Sequence, residues 1–121
     1  MLALAVGLGA SLGAVLRYLV DQSVTRRVGR IFPAGTWLIN ITGSFVLGLL
    51  AGLATHHGLS TDVVAIVGTG ICGGYTTFST FSYETVRLME EGSGLVALGN
   101  LAGSLAAGLA AAALGLGLGL L

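Results

Sequence analysis

Charged residues are scarce in this chain of 121 residues. Asp, Glu, Lys and Arg together make up 8% of it, and the net charge is zero. Soluble domains usually carry about 25% charged residues, so a soluble domain of this composition would lack a polar surface. The chain also has no basic run and no interleaving of basic with aromatic residues, which argues against a nucleic-acid partner. The composition therefore predicts an integral membrane protein whose residues 1–121 form one domain.

Cysteine is almost absent as well. The single Cys72 lies inside an apolar segment, so neither a disulfide nor a zinc site can form within one chain. We expect Cys72 to pack as a small hydrophobic residue. Walker-type glycine loops and redox-cofactor motifs are also missing, and the sequence predicts no enzymatic activity.

Ionisable residues are nearly missing from the apolar segments. Apart from Asp62 at the very start of the third segment, only Arg17 carries a charge in one, near its end, where its side chain can reach the membrane interface. A proton-coupled pump or antiporter normally needs a carboxylate or histidine relay within the membrane, so this absence argues against that class. His56 and His57 lie beside Gly58, and we expect them to be solvated residues of a turn.

Apolar residues and glycine are abundant instead. The chain is 55% hydrophobic and has 21 glycines, and its mean hydropathy is +0.97. A membrane helix needs about 20 mostly apolar residues, and four such windows predict an all-α membrane protein with four transmembrane helices. The first window has no basic start, so we expect a retained span rather than a signal peptide. The windows are Leu2–Val20, Thr36–Thr55, Thr61–Phe81 and Leu95–Leu118.

Outside the spans, arginine occurs in only two of the three predicted connections. An even number of spans puts the first and third connections on one face of the membrane, and the positive-inside rule then places both termini outside the cytoplasm. The second connection, His56 to Ser60, is a predicted tight turn without Lys or Arg. The first connection, Asp21 to Gly35, holds Arg26, Arg27 and Arg30, and the third holds Glu84, Arg87, Glu90, Glu91 and Gly92.

Small residues recur at four-residue spacing, which lets membrane helices approach closely. So much close packing in a small chain indicates an oligomer, although glycine is also simply common in membrane helices. The stripes are Gly9-xxx-Gly13, Ser44-xxx-Gly48-xxx-Gly52 and Gly99-xxx-Gly103.

The stretch from Gly68 to Ser82 has an apolar start, then the glycine pair Gly73-Gly74, then Ser and Thr side chains interleaved with two phenylalanines. We expect the glycine pair and the two threonines after it to free backbone carbonyls from the helical ladder. Irregular backbone survives in a bilayer only where it is buried in protein or lines a wet cavity. The stretch therefore predicts a broken helix at a conduction site.

Polar residues elsewhere in the spans point to the same kind of site. Asn40 is a buried amide that must find hydrogen-bond partners, and fastening two helices is its simplest role. Hydroxyls can bond back to their own helix, so their concentration near the break means more than any one of them. Amides and hydroxyls without a mid-span carboxylate can solvate a small anion without trapping it. The other polar residues are Thr36, Thr42 and Ser44 on the second span and Asn100 and Ser104 on the fourth.

Phe78 and Phe81 are three residues apart and can stack along one helical face. The edge of a phenyl ring is the positive part of its quadrupole, so two ring edges can replace part of the hydration shell of a compact anion. Ordinary packing against lipid or protein is the alternative role for both rings, and spacing alone favours it.

Three motifs, on three of the four spans, resemble those of the small fluoride channels of bacteria and archaea, the Fluc or CrcB family. The first is a glycine pattern ending in Arg-Tyr, the second a Gly-Thr…Asn…Gly-Ser-Phe…Gly pattern, and the third the signature Gly-Gly-x-Thr-Thr-Phe-Ser-Thr-Phe. They lie at Gly9 to Tyr18, Gly35 to Gly48 and Gly70 to Ser82.

The resemblance implies a homodimer of dual topology, with two subunits inserted in opposite directions and two fluoride pathways along their interface. It also implies a structural sodium ion on the two-fold axis, held by the backbone carbonyls of Gly73 and Thr76. Such a channel lowers cytoplasmic fluoride by passive export through the plasma membrane. One feature departs from this picture: with all loop arginines on one face, the chain either still inserts both ways or pairs with an inverted relative.

The resemblance also assigns individual side chains. Asn40 becomes a pore-lining amide, Phe78 and Phe81 an aromatic box for the anion, and Arg17 a structural or electrostatic residue of the vestibule. Asn100 stands where some members carry tyrosine, which leaves its part open. Candidates for the hydroxyl-lined path are Thr77, Ser79, Thr80 and Ser82, and the vestibule hydroxyls are Thr36 and Ser104.

Two other functions compete with the fluoride channel. A small antiporter of the multidrug-resistance type also has four spans in an antiparallel dimer, but that class needs a first-helix glutamate, which this chain lacks. A structural accessory subunit would have no use for a polar broken helix.

Overall fold

The computed structural model describes all 121 residues of the chain, and every regular element in it is a helix. The third span is interrupted, so that α4 follows α3 after a break. The helices are α1 (Leu2–Val28), α2 (Ala34–His57), α3 (Thr61–Val63, Val64–Cys72 and Gly73–Tyr75 in succession), α4 (Ser79–Glu90) and α5 (Gly94–Gly119).

Four helical segments are long and apolar enough to cross a membrane, with α3 and α4 together forming the third, Thr61–Glu90. This confirms the predicted all-α fold of four spans with a broken third helix. Cys72 is 4% exposed, so it packs as the predicted small buried residue.

The helices extend further than the predicted spans. α1 continues through Arg26 and Arg27, whose positive charges suit the negative end of the helix, and it stops at Gly29, where φ is 84°. The prediction that Asp21 begins a connection was therefore wrong, because hydropathy marks the apolar part of a helix and not its end. Pro33 precedes the first turn of α2, as a residue without a donor N–H can.

The other two connections are also shorter than predicted. His56 and His57 form the last turn of α2, which ends at Gly58 in the left-handed conformation, so the prediction that they lie in a turn was wrong, although both are exposed. Glu84 and Arg87 belong to α4 and not to the third connection. In both places the predicted span ended too early because polar residues were assigned to the connection although they belong to the helix.

The small-residue stripes are used mostly inside the subunit. A Cβ atom on Gly13 would overlap the backbone oxygen of Ile71, so α1 lies directly against α3. A Cβ atom on Gly48 would likewise overlap the backbone oxygen of Ala112, where α2 packs along α5. Gly99 meets nothing within 4 Å. Because helices of the same chain occupy the first two stripes, those stripes give no support to an oligomer.

The first and third connections lie at one end of the helix bundle. Arg87 Nη2 donates a hydrogen bond to the Arg30 backbone oxygen at 3.3 Å. This contact confirms that the loop arginines share one face of the molecule.

The break in the third span lies after the glycine pair and not at it. α3 has wide π-helical turns over Val64–Cys72, which are rare and often mark functional sites. Gly73 keeps helical dihedral angles, and the chain becomes extended only at Thr76, where ψ is 161°. Of the predicted stretch of two glycines and two threonines, the threonines are therefore where the helix opens. Gly74 instead lets α3 contact α1, since a Cβ there would overlap the Ala10 backbone oxygen.

Candidate ion-conduction site

Asn40 of α2 holds the break from the side. Its Oδ1 accepts the N–H of Thr77 at 2.9 Å, and its Nδ2 donates to the Thr77 carbonyl at 2.8 Å. In an uninterrupted α-helix that N–H would bond to the carbonyl of Gly73, four residues back. Asn40 therefore replaces the missing turn of helix, and its amide is satisfied as a buried polar group requires.

Thr77 connects the break to the start of α4. Its side chain is 9% exposed, and its Oγ1 accepts the N–H of Thr80 at 3.2 Å. This is the geometry of a helix cap, because the first N–H groups of a helix have no partner in the helix itself. The Thr77 hydroxyl also lies 3.4 Å from the Ser79 hydroxyl and donates to that of Thr80 at 3.1 Å.

Arg17 reaches the break from α1. Its Nη1 donates to the Thr76 carbonyl at 3.2 Å, while the Thr76 hydroxyl bonds back to Cys72 at 2.9 Å. The side chain is half-buried and points to the break, whereas the sequence analysis also allowed it to extend to the membrane interface. Three spans thus meet at the break.

The first of two cavities at the break, here called the aromatic cavity, has a volume of about 550 Å³. The ring centroids of Phe78 and Phe81 are 6.2 Å apart and their planes are tilted by 45°. Phe78 is 79% exposed, so the cavity opens to the outside of the subunit at this ring. Of the predicted site residues, those that line it are Asn40, Thr76, Thr77, Phe78, Phe81 and Ser104.

The second cavity, here called the charged cavity, has a volume of about 310 Å³ and lies on the other side of Thr77, which lines both. Its lining includes Arg17, Asp21, Thr36 and Thr80. The structure therefore divides the predicted site residues between two cavities.

Two predicted path residues lie in neither cavity. Ser79 and Ser82 line neither space, and the Ser82 hydroxyl is bonded back to the Phe78 carbonyl at 2.9 Å. Their role in a path stays a prediction.

Gly73 and Thr76, whose carbonyls the resemblance assigns to sodium, suit that ion in their chemistry. Neutral carbonyl oxygens at a helix break are ligands for Na⁺. The Gly73 carbonyl is free of its regular donor because Asn40 has taken the Thr77 N–H, and Gly73 is exposed. The Thr76 carbonyl has two lone pairs, of which Arg17 uses one.

Comparison with known proteins decides the family. Residues 4–116 match the family model described as CrcB-like protein, Camphor Resistance (CrcB). The chain belongs to the CrcB family. This confirms the resemblance found in the sequence motifs.

Relatives of this CrcB-family chain carry a functional name. It is 51% identical over 112 residues to "Fluoride-specific ion channel FluC 1" of Frankia casuarinae, covering 88% of this chain and 87% of the relative. It is 50% identical over 119 residues to the FluC 1 protein of Leifsonia xyli, covering 98% and 87%. It is 53% identical over 104 residues to the FluC 2 protein of Mycobacterium tuberculosis, covering 86% and 79%.

The sequence of this CrcB-family chain left the role of Asn100 open, and the structure shows what its side chain contacts. It is 1% exposed, its Nδ2 donates to the Thr85 hydroxyl at 2.9 Å, and its Oδ1 accepts from the Ser104 hydroxyl at 3.4 Å. Because Thr85 gives its own proton to the Phe81 carbonyl at 2.8 Å, it must accept from Asn100. The orientation of the amide then draws the Ser104 proton towards Asn100.

Glu84 was missed as a site residue because it was placed in a connection. The Thr36 hydroxyl donates to Glu84 Oε1 at 2.8 Å, and the other carboxylate oxygen is buried without a partner. Thr36 and Glu84 are far apart in sequence, and no local pattern joins them. Only a prediction that residues 79–90 form a helix would have indicated that Glu84 lies in a span and not in a connection.

Proposed function

We propose that this CrcB-family protein is a fluoride-specific ion channel that lowers cytoplasmic fluoride by passive export. The observation that carries the proposal is the family itself, whose relatives at about 50% identity over most of the chain are named fluoride-specific ion channels. The protein is a multi-pass membrane protein with four helical spans, of a family found in bacterial plasma membranes, and it is a channel and not an enzyme.

The aromatic cavity is the part of the molecule that suits the anion. Its lining includes two phenyl rings and the Asn40 amide, whose Nδ2 has a second N–H beyond the one bonded to Thr77, and no charged side chain lines it. Neutral donors can replace the hydration shell of an anion and still release it. A negative-inside potential drives an anion outward, with about 2.3 kcal/mol per unit charge for each 100 mV.

A second copy of the chain, inserted in the opposite orientation, is proposed to close the aromatic cavity. The support is its open side, where Phe78 is 79% exposed although it lies next to the polar break. Two copies related by a two-fold axis would then form two fluoride pathways along their interface. The lipid bilayer surrounds this homodimer.

A structural sodium ion is proposed at the centre of the dimer, bound by the Gly73 and Thr76 carbonyls of both copies. The support is the break itself, which leaves the Gly73 carbonyl without its regular donor. The ion would neutralise the carbonyl dipoles that face each other across the two-fold axis and is not itself transported.

The alternative is a small antiporter of the multidrug-resistance type. That class would need a carboxylate near the middle of the membrane. Asp21 is the one carboxylate of α1, and it packs against Gly35 at the start of α2, beside the arginine-bearing connection. This position favours the channel.

The proposal is tested with purified protein in liposomes loaded with fluoride or chloride. We expect rapid fluoride efflux on an ion-selective electrode without any proton gradient, and far slower chloride efflux. Efflux that required a proton gradient, or no fluoride efflux at all, would contradict it.

A further inference from the structure

Arg17 places a positive charge directly on one of the two carbonyls proposed for sodium. Its Nη1 lies 3.2 Å from the Thr76 oxygen, in a half-buried position inside the first span. A guanidinium is charged at every physiological pH. Any cation bound to the same oxygen would therefore share it with a second cation.

No carboxylate neutralises that charge at close range. The one ion pair within 4 Å in the whole chain is Arg87 with Glu91, at the arginine-bearing end. Asp21 lines the charged cavity together with Arg17 but forms no ion pair with it. Arg17 therefore has no carboxylate within 4 Å, and its hydrogen bond is to the Thr76 carbonyl.

The two proposed sodium ligands are therefore not equivalent. The Gly73 carbonyl has lost its helical donor to Asn40 and accepts no hydrogen bond from an arginine, whereas the Thr76 carbonyl already accepts from Arg17. One subunit thus offers one free carbonyl oxygen and one oxygen that already accepts a hydrogen bond from the Arg17 guanidinium. That is a poor site for sodium by itself.

We infer that Arg17 weakens sodium binding at the break. This rests on the sodium ion of the proposed function. At an effective dielectric constant of about 20, two unit charges about 5 Å apart repel enough to lower a binding constant by more than about tenfold.

The test measures the sodium concentration that gives half-maximal protection of the purified dimer against thermal unfolding, at constant ionic strength with an organic cation as replacement. Arg17→Gln removes the charge and keeps an amide donor, and we expect it to lower that concentration by about tenfold or more. Arg17→Lys keeps the charge and should stay close to the unchanged protein. Arg26→Gln is the matched control, since it removes the same charge at the exposed end of α1.

An unchanged or higher sodium midpoint in Arg17→Gln would overturn the inference. If the unchanged protein shows no sodium dependence at all, the proposed sodium ion itself fails and the role of Arg17 falls with it. Fluoride efflux from the same preparation tells that outcome apart from a failure of the channel.

A second measurement does not depend on whether Arg17→Gln folds. With ¹⁵N-labelled arginine in the unchanged dimer, sodium should shift the Arg17 guanidinium resonance at the same midpoint and leave the Arg26 resonance in place. An Arg17 resonance that ignores sodium would also overturn the inference.

Discussion

The two cavities beside Thr77 differ in whether charged side chains line them. The aromatic cavity is lined by neutral donors and phenyl rings, whereas the charged cavity holds Arg17 and Asp21. A full charge in a cavity binds an ion of opposite sign tightly and slows its release, while neutral donors allow it to pass. On this comparison the proposed fluoride path lies in the aromatic cavity, while Arg17 of the charged cavity hydrogen-bonds to the break.

Asn40 holds Thr77, the residue that lines both cavities, and its loss should have the largest effect. Asn40→Leu removes both bonds to Thr77 and leaves a backbone donor and acceptor unpaired, at a cost of about 1–3 kcal/mol each. We expect a large fall in thermal stability and loss of most fluoride efflux.

Thr55→Val is the matched control for Asn40→Leu, because the Thr55 hydroxyl bonds only to its own helix. It should change neither thermal stability nor efflux appreciably. Normal stability and efflux in Asn40→Leu would show that the break does not depend on this amide.

A substitution at Gly73 tests the comparison at the proposed dimer interface. Only the aromatic cavity is proposed to need a second subunit, and Gly73 lies where that subunit is proposed to bind. Within one subunit a Cβ on Gly73 meets a single atom, the Gly68 oxygen at 3.9 Å, so Gly73→Val has room there. We expect it to abolish the dimer on size-exclusion chromatography because the partner approaches at this point.

Thr76→Val is the companion of Gly73→Val. It removes a hydroxyl that bonds to its own helix and keeps the carbonyl, so it should cost at most about 1 kcal/mol and leave the dimer intact. A stable Gly73→Val dimer with normal sodium dependence would contradict both the proposed interface and the proposed ion.

Asn100 lies behind the aromatic cavity, and its replacement should have a smaller effect. Asn100→Leu removes the hydrogen bonds that link Ser104 to Thr85 through the amide. We expect it to lower the free energy of unfolding by about 1–3 kcal/mol and to cause a partial loss of efflux. If Asn100 acts by orienting Ser104, Ser104→Ala combined with Asn100→Leu should lower efflux no further than Asn100→Leu alone. Additive losses would mean that Asn100 acts elsewhere.

The four spans were predictable from the sequence because hydropathy and length suffice to mark them. The presence of a break was also predictable, since Thr-Thr after apolar sequence has no other place in a membrane. Its position was not, because it is set by distant partners: Asn40 takes the backbone of Thr77, and Arg17 takes that of Thr76. Local sequence contains neither contact.

The division of the site into two cavities could not be predicted for a related reason. Thr36 was assigned to the vestibule of the path because the resemblance implies a hydroxyl there, and in the structure its hydroxyl donates to Glu84. Each residue along a helix turns the side-chain direction by about 100°. A small error in the predicted rotation of a helix about its axis therefore moves a side chain from one cavity to the other. The roles of the individual side chains in conduction stay predictions.

The central claim is that fluoride passes through the aromatic cavity and not the charged one. The most direct measurement is initial fluoride efflux from liposomes at matched protein density for Phe78→Ile, Phe81→Ile and Thr36→Val, each checked as a dimer by size exclusion. The two phenylalanine swaps change the side-chain volume little and cost typically under about 1.5 kcal/mol. Thr36→Val also removes the hydrogen bond to Glu84 Oε1, at a cost of about 1–3 kcal/mol, so its efflux is compared only in the fraction that elutes as a dimer. We predict that efflux collapses in both phenylalanine variants and falls only modestly in Thr36→Val; near-normal efflux in both phenylalanine variants, or collapse in Thr36→Val alone, would contradict the account.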